Sequence, residues 1–121
     1  MILLYLLRKE IAMRKKITVL VLEPGKEPYV KVIDSSLSSL QKEVGGCIQV
    51  VYPFDDPIAL IIHEEGKLIG LPLNRPLVDD EGHLYDVIVG TCLVVGLTED
   101  NFGSLSPALL QKYAEFFKEG F

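Results

Sequence analysis

The sequence predicts an α+β protein: a two-layer sandwich with a five- to six-stranded, mostly antiparallel sheet and two helices on one face. Three observations predict it. Short β-branched and apolar runs alternate with turns rich in proline and glycine along most of the chain. Two segments carry helix-start signals followed by apolar residues at helical spacing. A length of 121 residues, 49% of them apolar and 24% charged, suits one core that buries roughly two-thirds of the unfolded surface. This composition excludes disorder and coiled-coil or collagen-like architectures.

Ile17 to Leu22 is β-branched and stops at Glu23-Pro24-Gly25-Lys26-Glu27-Pro28, so the alternating run Tyr29 to Ile33 forms a hairpin with it. Asp34-Ser35-Ser36 offers side-chain oxygens to the free amides of a helix start. Leu37, Leu40 and Val44 follow at helical spacing, and Gly45-Gly46 ends the helix. Cys47 to Tyr52 and Ile58 to His63 read as strands on either side of Pro53-Phe54-Asp55-Asp56-Pro57. Leu68 to Gly70, after the turn Glu64-Glu65-Gly66-Lys67, reads as a short strand hairpinned to Ile58–His63. Leu71 to Leu77 reads as an ordered loop outside any sheet, because Pro72 and Pro76 donate no ladder hydrogen bond. Val78 to Leu84 is an acidic loop. Tyr85 to Gly96 reads as one central strand, with Gly90-Thr91 marking a bulge or a close backbone approach. Ser106-Pro107 is an N-cap followed by a proline whose missing amide costs nothing there, and Leu109, Leu110, Tyr113, Phe116 and Phe117 form one apolar face.

Residues 1–16 are read as an extension of a single domain at 17–121, with Met13 as an alternative start. The apolar run Met1 to Leu7 precedes the basic cluster, the reverse of a secretory signal; the competing reading is an amphipathic segment for a membrane or partner. Residues 1–16 hold five basic side chains against Glu10, so the remainder carries −9 to reach the total of −5. An acidic body repels phosphate backbones, so no direct nucleic-acid binding is expected, and steering favours basic proteins. No apolar run reaches about 18 residues, so no membrane span is expected. Two cysteines without a Cys-x-x-Cys pair fit a reducing cytoplasm and offer neither a disulfide framework nor a zinc site.

The candidate chemistry is sparse. His63 with Glu64 and Glu65 lacks a helix-borne His-Glu-x-x-His, and His83 reads as a solvated histidine beside Asp79 and Glu81. Cys47 and Cys92 fall within strands and read as small buried hydrophobes. Asp55-Asp56 and Asp79-Asp80 read as turn formers, because adjacent residues on extended chain diverge. No catalytic residue, metal or cofactor is nominated. The best candidate for a binding edge is Asn74-Arg75, where a planar five-donor fork suits phosphate or carboxylate between two stiffening prolines. The competing reading pairs Arg75 with Asp86 or residues 79–81 and makes it a pin for its loop. Gly25 and Lys26 add a backbone nest, Tyr52 an aromatic face, and Thr91 completes the ligand-binding set.

Taken in order, Val21-Leu22-Glu23-Pro24-Gly25-Lys26, Leu40-Gln41-Lys42-Glu43-Val44-Gly45-Gly46, Val51-Tyr52-Pro53-Phe54-Asp55-Asp56-Pro57, Gly70-Leu71-Pro72-Leu73-Asn74-Arg75 and Ile88-Val89-Gly90-Thr91 resemble a domain-of-unknown-function family of phages and conjugative elements of Gram-positive bacteria. The resemblance spans residues 17–118 and brings no established catalytic residues. It implies a mobile-element accessory protein acting against host defence in the cytoplasm. The expected function is sequestration of a small, phosphate-bearing nucleotide signal by an oligomer. The alternative is an acidic inhibitor that covers a basic site on a host defence enzyme or mimics nucleic acid.

Overall fold

The structure is a computed structural model and describes residues 15–99 and 101–121. The expected extension at 1–16, with its alternative start at Met13, lies outside the described residues except for Lys15 and Lys16. Strand β1 (Lys16–Leu22) and strand β2 (Tyr29–Asp34) form the expected hairpin, in an unbroken antiparallel register from Lys16↔Asp34 to Val21↔Tyr29. Helix α1 (Leu37–Val44) starts at Ser36, whose hydroxyl accepts from the Ser39 amide, and stops where the Gly45 amide donates to the Gln41 carbonyl. Strands β3 (Ile48–Val51) and β4 (Ile58–His63) follow, antiparallel to each other.

The chain then departs from expectation. Residues 64–70 form turns and not a fifth strand: Ile69 N donates to Glu65 O and Leu71 N to Gly66 O, so the backbone closes on itself and leaves Leu68 84% exposed. Leu73–Val78, expected as a loop, is strand β5, and it pairs antiparallel with β6 (Leu84–Val89). Pro76 is tolerated because this ribbon has only two strands, so β5 is an edge. The single strand expected over 85–96 is divided: β6 belongs to the ribbon and β7 (Cys92–Leu97) to the main sheet. Gly90 separates them at φ 69, a left-handed turn that redirects the chain, and its amide donates to the Pro72 carbonyl.

Strand β8 (Phe102–Gly103) adds to β7, and helix α2 (Pro107–Phe116) closes the chain, capped by the Ser106 hydroxyl with Pro107 in the first turn. The main sheet has six strands in the order β2-β1-β7-β4-β3, with β8 beside β7. The α+β class and the mostly antiparallel sheet are as expected, but the helices do not share a face. Leu20, Leu22, Leu60 and Val94 point into a core with Tyr113 and Phe117 of the α2 region and with Leu77 and Ile88 of the ribbon. Their neighbours Val19, Val21, Ile61 and Leu93 point the other way, onto Leu40 and Val44 of α1. The period-two alternation of β1, β4 and β7 is apolar in both phases, so each face needs its own cover. No helix among the described residues is long and apolar enough to cross a membrane.

The sheet closes tightly where β1 leaves β7. The Ser104 hydroxyl accepts from Thr18 N, Leu105 N donates to Thr18 O, and a Cβ at Gly96 would collide with the Ser104 carbonyl. Gly96→Ala should therefore cost about 1–3 kcal/mol, read in urea denaturation as a lower midpoint at unchanged slope.

Candidate functional site

Arg75 and Asn74 are buried, with exposures of 1% and 0%. The Arg75 side chain enters the core face and donates in several directions: Nε to the Phe117 carbonyl at 2.7 Å, Nη1 to Asn74 Oδ1 at 2.7 Å, and Nη2 to the Lys26 carbonyl at 2.6 Å. A longer bond joins Nη1 to the Glu23 carbonyl at 3.3 Å. Asn74 Nδ2 donates to the carbonyls of Leu22, at 2.9 Å, and Gly90, at 2.7 Å. The fork expected to hold a phosphate is thus engaged by backbone oxygens and by the Asn74 side chain. Asp86 pairs instead with Lys67, and Asp79 accepts from the amides of Glu81 and His83, so neither partner of the pinning alternative is taken up. Burial lowers the Arg75 pKa, and the C-terminal end of α2, whose cap carbonyl accepts from Nε, offers the partial negative charge that favours a cation.

The other expected ligand residues divide. Gly25, Lys26 and Arg75 line one hollow of about 180 Å³ with Lys118 and Phe121. Lys26 is paired there with Glu23 at 3.6 Å. Tyr52 is exposed beyond β3, and Thr91 is half-buried after Gly90; neither lines that hollow. Cys92 is buried beside Arg75 and its thiol is pushed up to about 12 by desolvation, so it stays protonated at neutral pH. Cys47 is exposed, contrary to its reading as a buried hydrophobe. His63 Nδ1 accepts from Glu65 N, and His83 stands 3.5 Å from Asp79 and Glu81, as its spacing suggested. No group of three metal-ligating side chains occurs among the described residues.

A concave feature that no single sequence motif marks lies elsewhere, between the 53–57 loop, the ribbon turn and α2. A cleft of about 720 Å³ brings Asp55 and Asp56 together with Asp79 and Asp80, across from Lys112 on α2. Its apolar walls are Pro53, Phe54, Tyr85 and Phe116, of which Tyr85 and Phe116 are about half exposed. Phe54 fixes the 53–57 loop on α2, its ring 4.9 Å from Tyr113 and 5.3 Å from Phe116. Asp56 Oδ2 accepts from Lys112 Nζ and the Tyr113 hydroxyl, both at 2.6 Å. Those two bonds hold the Asp56 carboxyl below its usual range, while burial and the Asp56 charge push the Tyr113 phenol well up. Asp55 and Asp80 make no side-chain hydrogen bond or ion pair among the described residues and face solvent.

Two outcomes follow from this geometry. Arg75→Ala leaves several buried acceptors without donors and should destabilise the fold by about 3–5 kcal/mol, measured by chemical denaturation; a loss under about 1 kcal/mol would mean that water replaces the guanidinium. Asp56 has a folded pKa below its ordinary 3.8, so its contribution to stability is present above that value and is lost as pH falls through the folded one. Asp56→Asn should therefore flatten the acid limb of the melting-temperature profile below about pH 4.

No curated protein and no solved structure matches the chain. Residues 17–118 match a family described as a domain of unknown function, DUF3846, and with so much of its length covered the chain belongs to that family.

Proposed function

We propose that this protein acts by binding a basic segment of a partner protein in the acidic, aromatic-walled cleft. The observation that carries this reading is the convergence of four carboxylates and two half-exposed rings on one concave surface with a single lysine. Unpaired Asp55 and Asp80 attract cationic side chains, and Tyr85 and Phe116 offer faces for the alkyl stems and guanidinium planes that such side chains carry. In the mobile-element setting that the sequence resemblance implies, the partner is a host defence protein with a basic working surface. Binding is favoured over chemistry because Cys92 is a buried thiol with a pKa raised to about 12 and His63 turns its Nδ1 to a backbone amide.

Sequestration of a small phosphate-bearing ligand is the second reading. It is supported by the hollow that places Lys26 and Lys118 near the Gly25 turn. Against it, the donors of Arg75 are already engaged, and the hollow of about 180 Å³ falls short of the roughly 300 Å³ at which small-molecule pockets begin.

A titration with a fluorescent decapeptide rich in lysine and arginine separates the two. Binding should saturate and weaken steeply between low and physiological salt. Asp55→Asn combined with Asp80→Asn should reduce affinity about threefold to tenfold without loss of melting temperature. Salt-insensitive or absent peptide binding, together with retention of a nucleotide that Lys26→Ala and Lys118→Ala abolish, would replace this reading with the second.

A further inference from the structure

A second hollow, of about 300 Å³, lies where the β5–β6 ribbon passes over the β3–β4 end of the main sheet. Its walls are Val51 and Ile62 from the sheet and Leu77, Ile88 and Val89 from the ribbon. Val51 and Ile62 are only partly buried, and Leu68, which also lines the hollow, is largely exposed and does not fill it. The two apolar surfaces therefore leave space between them that no side chain fills. At about 30 Å³ for a water-sized group, the hollow has room for roughly ten such groups.

The polar groups at this hollow are unequal. Lys67 and Asp86 neutralise each other in an ion pair, and His63, which also lines the hollow, accepts from the Glu65 amide at Nδ1. Gln49 lies opposite Ile62 in the β3–β4 register and so shares its face. Glu64 is held by its own backbone amide, which donates to Cys47 O at 2.8 Å, while its carboxylate has no hydrogen bond or ion pair among the described residues. An anion entering here would meet Glu64 and would have to break the Lys67–Asp86 pair; a cation would meet an unpaired carboxylate and the Gln49 amide oxygen.

We infer that this hollow is a binding site for a short alkyl chain ending in an ammonium group, with the chain against Val51, Ile62, Leu77 and Val89 and the charged end at Glu64 and Gln49. This site shares no residue with the acidic cleft and stands or falls apart from it. The same chemistry is presented by a free alkylamine and by a lysine side chain of a partner.

Methyl-detected NMR titration of the full chain with hexylammonium, hexanoate and a blocked lysine amide tests the site. Hexylammonium or the lysine amide should shift the Val51, Ile62, Leu77 and Val89 methyls saturably, and hexanoate should bind at least about tenfold more weakly. Tighter binding of hexylammonium assigns a free amine as the ligand; tighter binding of the lysine amide assigns a partner side chain. Glu64→Gln should weaken the preferred cation about tenfold while leaving the melting temperature unchanged. Val51→Phe should abolish binding by filling the space; if it does not fold, Glu64→Gln still decides. The inference is overturned if neither cation shifts these methyls saturably, if hexanoate binds as well, or if Glu64→Gln has no effect.

Discussion

The guanidinium of Arg75 and the amide of Asn74 join four pieces of chain that are distant in sequence. These are the end of β1 with its following turn, the cap of α2, the ribbon itself and the Gly90 bend that leads to β7. A buried cation without a carboxylate partner loses several kcal/mol of hydration, and what offsets that loss here is a set of charge-assisted bonds to carbonyls, each worth about 1.5–3 kcal/mol. The position of those carbonyls matters as much as their number. Phe117 O stands at the end of α2, where the helix dipole presents partial negative charge, and Lys26 O comes from a turn approaching from another direction. A planar fork reaches these diverging acceptors at once, which a lysine ammonium on one flexible stem does not. Gly120 completes the fit, since a Cβ there would run into the Asn74 carbonyl.

Holding β5 at that point sets where the rest of the ribbon lies. From the Asn74–Arg75 anchor the ribbon crosses the α2 face of the main sheet, placing Leu77 and Ile88 in the core and its far turn, residues 79–83, beside the 53–57 loop. The acidic cleft lies between that turn, that loop and α2. The second hollow forms nearer the anchor, where Leu77 and residues 86–89 of the same ribbon stand over β3 and β4. Both concave features are consequences of a two-stranded element that is pinned at one end and only partly packed along its length.

Local signals in the sequence reveal the elements that depend on local physics. Ser36 and Ser106 cap the helices that their positions suggest, Pro107 occupies the first turn of α2, and Ile58–His63 has the strand bounds that its flanking turns imply. Elements that depend on tertiary context were not visible. A proline at 76 excludes a central strand but permits an edge, and nothing local tells the two apart. The apolar run through 85–96 hides the Gly90 bend, because strands in two different sheets can both be apolar. Arg75 is the notable side chain of the sequence, yet all but one of its acceptors are main-chain carbonyls, which leave no residue-type pattern to read; the exception is Oδ1 of its neighbour Asn74. The division of helices between the faces was present in the double apolar phase of β1, β4 and β7, a pattern that one covering layer cannot satisfy.

The aspartate pairs show how an acidic surface becomes a shaped one. Neither pair lies on the extended chain that the sequence suggested: both sit in bends or turns and line one cleft, and in each pair the two carboxylates take separate roles. Asp56 turns inward to Lys112 and Tyr113 and fixes the 53–57 loop, while Asp55 is left facing out. Asp79 turns back to the amides of Glu81 and His83 and shapes the ribbon turn, while Asp80 is left facing out. The inward member of each pair orders the backbone that carries the outward one, so part of the ordering entropy of presenting two like charges across a cleft is met within the fold. Four scattered aspartates of the same net charge would give the protein the same long-range attraction for a basic partner but no fixed place to hold it.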